Sequence, residues 1–286
     1  TNHRTDQYGG SRENRSRFLA EVIRAIRTAT GENFPILVRI DAVEIRLPGG
    51  IELADCIETA RQCEKAGADA IDVSAYGNTA HSIAFTEAPL IHEPGGFLDY
   101  AKAVKKAVSI PVIGVGRVEP KVGEHSIAAG DFDFLALGRK LLADPDLPNK
   151  LDRGREKDIR PCIYCYVCVS QIFINQPMYC AVNHEMGREY EGDIIARSVE
   201  AKKFLIIGAG PGGMEAARLL SLKGHSVSLW EKEKDLGGTA RIAALAYEPN
   251  ERLVTYLGDA VKSLPIDLQR SKTGTVENIR AENADH

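Results

Sequence analysis

Four of the six cysteines crowd into nineteen positions: Cys162, Cys165 and Cys168 stand three apart in CIYCYVC, and Cys180 follows after eleven intervening residues. Thiolates are soft metal ligands, and three close cysteines plus a remote fourth suit a [4Fe-4S] cubane, in which each thiolate binds a different iron. A single tetrahedral zinc would require the three near ligands to fold into a compact knuckle, and unligated thiols are the remaining reading. Cys56 and Cys63, seven apart on one face of a helical pattern, read as small buried apolar side chains.

A second motif is GAGPGG. Gly208, Gly210 and Gly213 make a GxGxxG pattern after an apolar run and open a helical one, with Pro211 inside it, and Glu231 ends the next apolar run 18 residues beyond Gly213. The first glycine permits a tight turn and the second lets backbone approach a pyrophosphate. The third brings helix against strand, and the acid accepts ribose hydroxyls. Gly237 and Gly238, soon after the acid, suit FAD better than NAD. The bland alternative is a degenerate relic of the motif.

Three arginines stand beside apolar runs. Arg39 lies inside ILVRI, where an unpaired guanidinium would be costly to bury. It calls for an anionic partner, the bland alternative being a carboxylate across a barrel mouth such as Asp41 or Asp72. Arg117 and Arg139 follow Gly116 and Gly138, just past two successive runs that also hold Gly114. Glycine with arginine at neighbouring strand ends suits an anion such as a flavin phosphate, the alternative being ordinary loop cations. Tyr76, Asn78, His81 and His92 follow another run, where any one could donate a proton or simply be solvated.

These groups need elements to position them. Short apolar runs at 36–40, 70–74, 111–115 and 134–138 read as parallel strands buried on both faces. Helical patterns at 16–29, 53–66 and 98–108 alternate with them, and Ser11 is an N-cap with Asn14 at the third helical position. Arg39 to Asp41, Ser74, Gly114 to Arg117 and Gly138 to Arg139 then fall at carboxyl ends of strands, where barrel enzymes gather their functional groups. The class is α/β. Residues 1–145 then read as a small open sheet or as the C-terminal half of a (β/α)8 TIM barrel; the strand-end groups favour the half-barrel, about half of the roughly 250 residues a whole barrel takes. Residues 146–201 form the cysteine-bearing segment, without clear periodicity. Residues 202–286 begin a Rossmann-like domain whose pattern weakens after LGGTAR.

Composition sets limits. The 286 residues amount to about two domains, and 44% hydrophobic with 27% charged residues can bury real cores. A formal charge of −4 provides no broad positive field, so nucleic acid is not an expected partner. No apolar run approaches the roughly 20 residues of a membrane span, and the first residues lack a signal peptide's apolar core. We therefore expect a cytoplasmic protein, off the membrane, acting on a small molecule.

The motifs together resemble the iron-sulfur flavoenzymes of the old yellow enzyme superfamily, the group of 2,4-dienoyl-CoA reductase, enoate reductases and trimethylamine dehydrogenase. NHRTDQYGGSRENRSRF is similar to the segment entering that family's fourth barrel helix. IPVIGVGRV and FLALGRKLLADPDL are similar to its seventh and eighth strands, and the cysteines and GAGPGG follow in family order. The resemblance implies that Arg39 faces the flavin N1 and O2 edge and that Gly116, Arg117, Gly138 and Arg139 hold the FMN phosphate, beside Gly114. It also implies that Cys162, Cys165, Cys168 and Cys180 ligate the cluster, and that Gly208, Gly210, Pro211, Gly213, Glu231 and Gly238 bind FAD. The implied activity passes electrons from NAD(P)H through FAD, the cluster and FMN to an activated C=C bond of an enoate or enoyl-CoA-like substrate. The alternatives are an amine dehydrogenase sending electrons outward and an inactive electron-transfer or FAD-binding fragment. The likeness begins in mid-barrel, so the chain reads as part of a longer enzyme. The family's tyrosine acid then falls upstream of residue 1, with Tyr76 and His81 as the candidates here, and the half-barrel's open edges leave a homo-oligomer open. Tyr164 and Tyr166 stand where many relatives carry glycine and asparagine.

Overall fold

A computed structural model describes residues 2–45, 47–77, 93–193 and 195–286, which form two compact units, Thr1–Leu137 and Gly138–His286. In the first, helix α1 (Arg12–Thr30) leads into β1 (Leu37–Ile45), α2 (Leu53–Ala66), β2 (Ala70–Gly77), α3 (Leu98–Lys105), β3 (Val112–Gly114), α4 (Pro120–Ala128) and β4 (Phe134–Leu135). The strands lie side by side in chain order, all parallel. Ser11 caps α1 as its sequence position suggests, its side chain accepting the Asn14 N–H at 3.2 Å. Cys56 and Cys63 are buried in the core with Ala20, Ile23, Val38, Ile40, Ala60, Ile71 and Val73.

Two expectations change here. Burial on both faces holds for β2, where Ile71, Val73, Ser74 and Ala75 are all buried, but β1 alternates. Val38, Ile40 and Ala42 pack in the core while Leu37 is 60% exposed, because the helices α1 and α2 cover one face of this strand. β1 also continues well past residue 40. Its ladder with β2 shifts register between Asp41 and Glu44 and runs on to Ile45, so Arg39 and Asp41 lie within the strand and not at its carboxyl end.

The second unit opens with α5 (Arg139–Ala143) and α6 (Leu147–Asp152), followed by α7 (Val167–Phe173) inside the cysteine-bearing segment. A three-stranded parallel sheet follows: β5 (Lys203–Ile207), α8 (Pro211–Leu222), β6 (Ser226–Glu231), α9 (Gly238–Ala243), α10 (Pro249–Ser263), β7 (Ile266–Arg270) and α11 (Val276–Ala281), with strand order β5-β6-β7. Its core joins Met214 and Ala217 to Val227, Leu229, Leu257 and Val261. The region after LGGTAR, where periodicity fades, is thus regular. Leu253, Leu257 and Val261, four apart on α10, are the stripe that holds it.

Arg160 ties the irregular segment into this unit. It is buried, its backbone N–H reaches Asp144 Oδ2 at 2.7 Å, and its guanidinium donates to Asn183 Oδ1 at 3.0 Å and Glu215 Oε1 at 3.3 Å. The Tyr247 hydroxyl adds a bond to the Ile163 carbonyl at 2.6 Å. Among the described residues no helix is long and apolar enough to cross a membrane.

Candidate functional site

Cys162, Cys165, Cys168 and Cys180 line one small pocket of the second unit, with Arg139, Leu142, Tyr164 and Tyr166. The Tyr164 N–H points at Cys162 Sγ from 3.4 Å. Burial pushes the Cys162 thiol up to about 11 and raises that of Cys168, with Arg139 partly opposing both shifts. Such thiols ionise readily only when a cationic centre sits among them. Among the described residues no group of three or more His, Cys, Asp or Glu is close enough to hold a metal ion as it stands. Tyr164 and Tyr166 adopt φ of 50° and 62°, a left-handed backbone that costs a residue with a Cβ about 1–2 kcal/mol. That cost accounts for glycine and asparagine as the easier residues there.

The nucleotide turn follows. Gly208 has φ 98°, which lets the chain reverse from β5 into α8. A Cβ on Gly213 would sit 2.0 Å from the Gly208 carbonyl oxygen, so the helix approaches the turn as closely as the third glycine allows. Pro211 opens α8 and needs no N–H partner there. The Gly237 N–H reaches the Ala209 carbonyl at 2.8 Å, and Gly238 lies against Gly210, so the second glycine pair packs on the first. Glu231 has a structural role in this turn. It is buried, and its oxygens accept the Ala209 N–H at 2.7 Å and the Glu233 N–H at 2.9 Å. The carboxylate therefore holds the glycine turn to the end of β6 and retains lone pairs for a hydroxyl.

In the first unit the anionic partner of Arg39 is Asp72. The side chain of Arg39 is 54% exposed, with Nη1 3.2 Å from Asp72 Oδ2 and Nη2 3.2 Å from Ser74 Oγ. Burial raises the Asp72 carboxyl and that of Asp41, while Arg39 opposes both shifts. Asp72 Oδ1 is buried with no hydrogen-bond partner among the described residues, so the patch holds an acceptor in reserve. Gly114 and Gly116 have packing reasons as well. A Cβ would meet the Phe132 ring at 3.0 Å in one case and Phe97 at 2.8 Å in the other, where φ is also 119°. Arg117 follows in the same unit, whereas Gly138 and Arg139, the N-cap and first residue of α5, belong to the second.

Tyr76 pairs with Glu44 in the β1/β2 ladder. Asn78, His81 and His92 fall outside the described residues. Sequence reasoning missed a cavity of about 420 Å³ in the first unit, bordered by His3, Arg12, Arg15, Asp41, Glu44 and Asp55. Its signal was present: Arg12 and Arg15, one helical turn apart, both donate to Asp55 Oδ1, at 2.6 and 2.7 Å.

Residues 1–158 match the model of the NADH:flavin oxidoreductase / NADH oxidase family. The chain belongs to that family. Residues 206–263 match an NAD(P)-binding Rossmann-like domain. A bilirubin reductase of Mediterraneibacter gnavus is 40% identical over 295 residues, covering 100% of this chain and 45% of that protein. A solved 2-naphthoyl-CoA reductase in complex with 2-naphthoyl-CoA superposes with a TM-score of 0.92 at 33% identity, over 100% of this chain and 44% of that one. Histamine dehydrogenase from Rhizobium sp. 4-9 gives a TM-score of 0.90 at 30% identity, over 100% and 42%. The chain thus spans under half the length of these relatives, and its first unit is the α/β arrangement of barrel-like oxidoreductases.

Proposed function

We propose that this chain is the electron-relay portion of an NAD(P)H-dependent flavoenzyme that reduces an activated C=C bond of an enoate or enoyl-CoA-like substrate. The carrying observation is the convergence of Cys162, Cys165, Cys168 and Cys180 on one pocket in the same unit as the glycine turn. When bound, a [4Fe-4S] cluster supplies one-electron transfer between flavins that exchange electrons in pairs, as hydride, with their substrates. The chain's own residues do the rest. The four cysteines supply the ligands, and the Tyr164 N–H donates to Cys162 sulfur. Gly208, Gly210 and Gly213 shape the turn whose backbone N–H groups, with the positive end of α8 opened by Pro211, meet the FAD pyrophosphate, backed by Gly238 and Glu231. For FMN, Arg39 places positive charge on the face it shares with Asp72 and Ser74, where a reduced flavin gathers negative charge. Gly114, Gly116 and Arg117 serve its phosphate end. Resemblance to reductases of bilirubin and of an aromatic CoA thioester supports an unsaturated substrate.

Similarity to a histamine dehydrogenase favours one second reading, in which an amine reduces FMN and electrons leave through the cluster. Anaerobic reconstitution followed by iron, acid-labile sulfide and zinc assays tests the relay. About four iron and four sulfide per chain is the expected result; zinc without sulfide would remove its central link. Reduction of the natural full-length protein by NAD(P)H, against reduction by amines, separates the two directions.

A further inference from the structure

Tyr164 and Tyr166 alternate with the cluster cysteines, and both stand in the left-handed region, at φ 50° and 62°. A bulky residue with a Cβ is disfavoured there. An outlier held against its own preference signals a contact that the surroundings enforce. Arg139 lies over both rings. Its Cζ lies 4.8 Å from the centre of the Tyr166 ring and 5.2 Å from that of Tyr164, and Lys140 Nζ is 5.5 Å from the latter. Tyr164 is buried, so its ring has little freedom to leave. Arg139 also lines the pocket of the four cysteines. A cation gripped by two aromatic faces is fixed in place by their quadrupoles, and here the place is beside the sulfurs.

We propose that Tyr164 and Tyr166 are positioning residues that hold the Arg139 guanidinium at the cysteine pocket, where its charge favours the reduced state of a [4Fe-4S] cluster. The proposal rests on the cluster reading above. Reduction adds one electron to the cluster, with no proton taken up and no bond broken. The electron comes from a reduced flavin, or from dithionite in a titration. The added negative charge is what a nearby guanidinium stabilises, and the burial of Cys168 with the partial burial of Cys162 and Cys180 limits the screening of that attraction.

The test is a reductive titration of the reconstituted chain, followed by the paramagnetic signal of the reduced cluster, in the wild type and in Arg139→Gln, Tyr164→Gly, Tyr166→Asn and Tyr166→Phe. Iron and sulfide are assayed first. Loss of the charge in Arg139→Gln lowers the reduced-to-oxidised ratio at a fixed potential about tenfold or more, ~60 mV for a one-electron couple. Tyr166→Asn and Tyr164→Gly move it the same way by a smaller factor, while Tyr166→Phe, which keeps the aromatic face, stays at the wild-type value. A merely structural role predicts otherwise: asparagine and glycine relieve backbone strain, so those variants would melt no lower and keep the wild-type potential. Should Arg139→Gln fail to load, the tyrosine variants decide, since they retain every ligand and every charge. Loaded tyrosine variants with an unchanged potential overturn the clamp alone, whereas a wild type without iron and sulfide sinks the cluster reading and the clamp with it.

Discussion

Gly213→Ala isolates one contact on which the nucleotide turn depends. The added methyl would lie 2.0 Å from the Gly208 carbonyl oxygen and 3.5 Å from Ile206 Cγ2. The first distance is about 1 Å short of any tolerable carbon–oxygen contact, and its partner is backbone, which cannot rotate away. α8 must therefore retreat from the turn, pulling the fully buried Met214 and Ala217 out of register with Val227, Leu229 and Val261. Overpacking of this kind costs about 2–4 kcal/mol, or roughly 5–15 °C in melting temperature for a unit of this size. Trp230, the chain's single tryptophan, is buried in β6 beside the turn, so its fluorescence reports the melt of this unit. Gly212→Ala is the control. A Cβ there meets nothing within 4 Å, and alanine inside a helix is favoured by up to about 1 kcal/mol over glycine, so this variant should melt at or slightly above the wild type. If Gly213→Ala melts with Gly212→Ala and retains nucleotide equally well, the close approach of helix and turn is not what the third glycine secures.

Other consequences can be checked alongside it. Glu231→Gln should cost about 1–3 kcal/mol and weaken nucleotide retention, because one amide oxygen cannot serve the N–H groups of both Ala209 and Glu233; an unchanged Trp230 melt would contradict this. Arg27 donates to the carbonyls of Gly31, Phe34 and Gly67 and to Asp69, so Arg27→Met should cost about 2–3 kcal/mol, read as faster amide exchange along β1 and β2. Burial lifts the Cys56 thiol to about 12 and that of Cys63 to about 11, against 9.0 for a free thiol. Native protein keeps both protons where the unfolded chain has lost them. Stability from this source is therefore fully present below pH 9 and declines between pH 9 and 12, with a shallower decline in Cys56→Ala. Iodoacetamide at pH 8 should label the exposed Cys165 in the metal-free chain and spare both core thiols until unfolding, and equal rates would refute the assignment.

What could be read from sequence was what chemistry confines to neighbouring residues. The glycine turn is legible because the positive φ of Gly208 and the close approach at Gly213 fall within six positions, and the cysteine set because its thiols recur at short spacing. Arg39 is different. Its need for an anion was plain, but choosing Asp72 over Asp41 required the parallel register that sets Arg39 opposite Asp72, and no local pattern carries that. Glu231 shows the same limit from the other side: its position after an apolar run announced a ligand contact, while the two backbone N–H groups it also serves lie on a turn twenty-two residues earlier and on its own exit loop. α10 escaped notice although Leu253, Leu257 and Val261 were there to be counted. Tyr164 and Tyr166 were the hardest to interpret, since backbone handedness is written in residue type only when the type agrees with it. An aromatic in a left-handed position contradicts its own local preference, and such a contradiction persists where a tertiary contact outweighs it. The departure from glycine and asparagine was therefore itself the signal, and Arg139, 25 residues upstream of the first tyrosine and 27 upstream of the second, is the partner that gives it physical content.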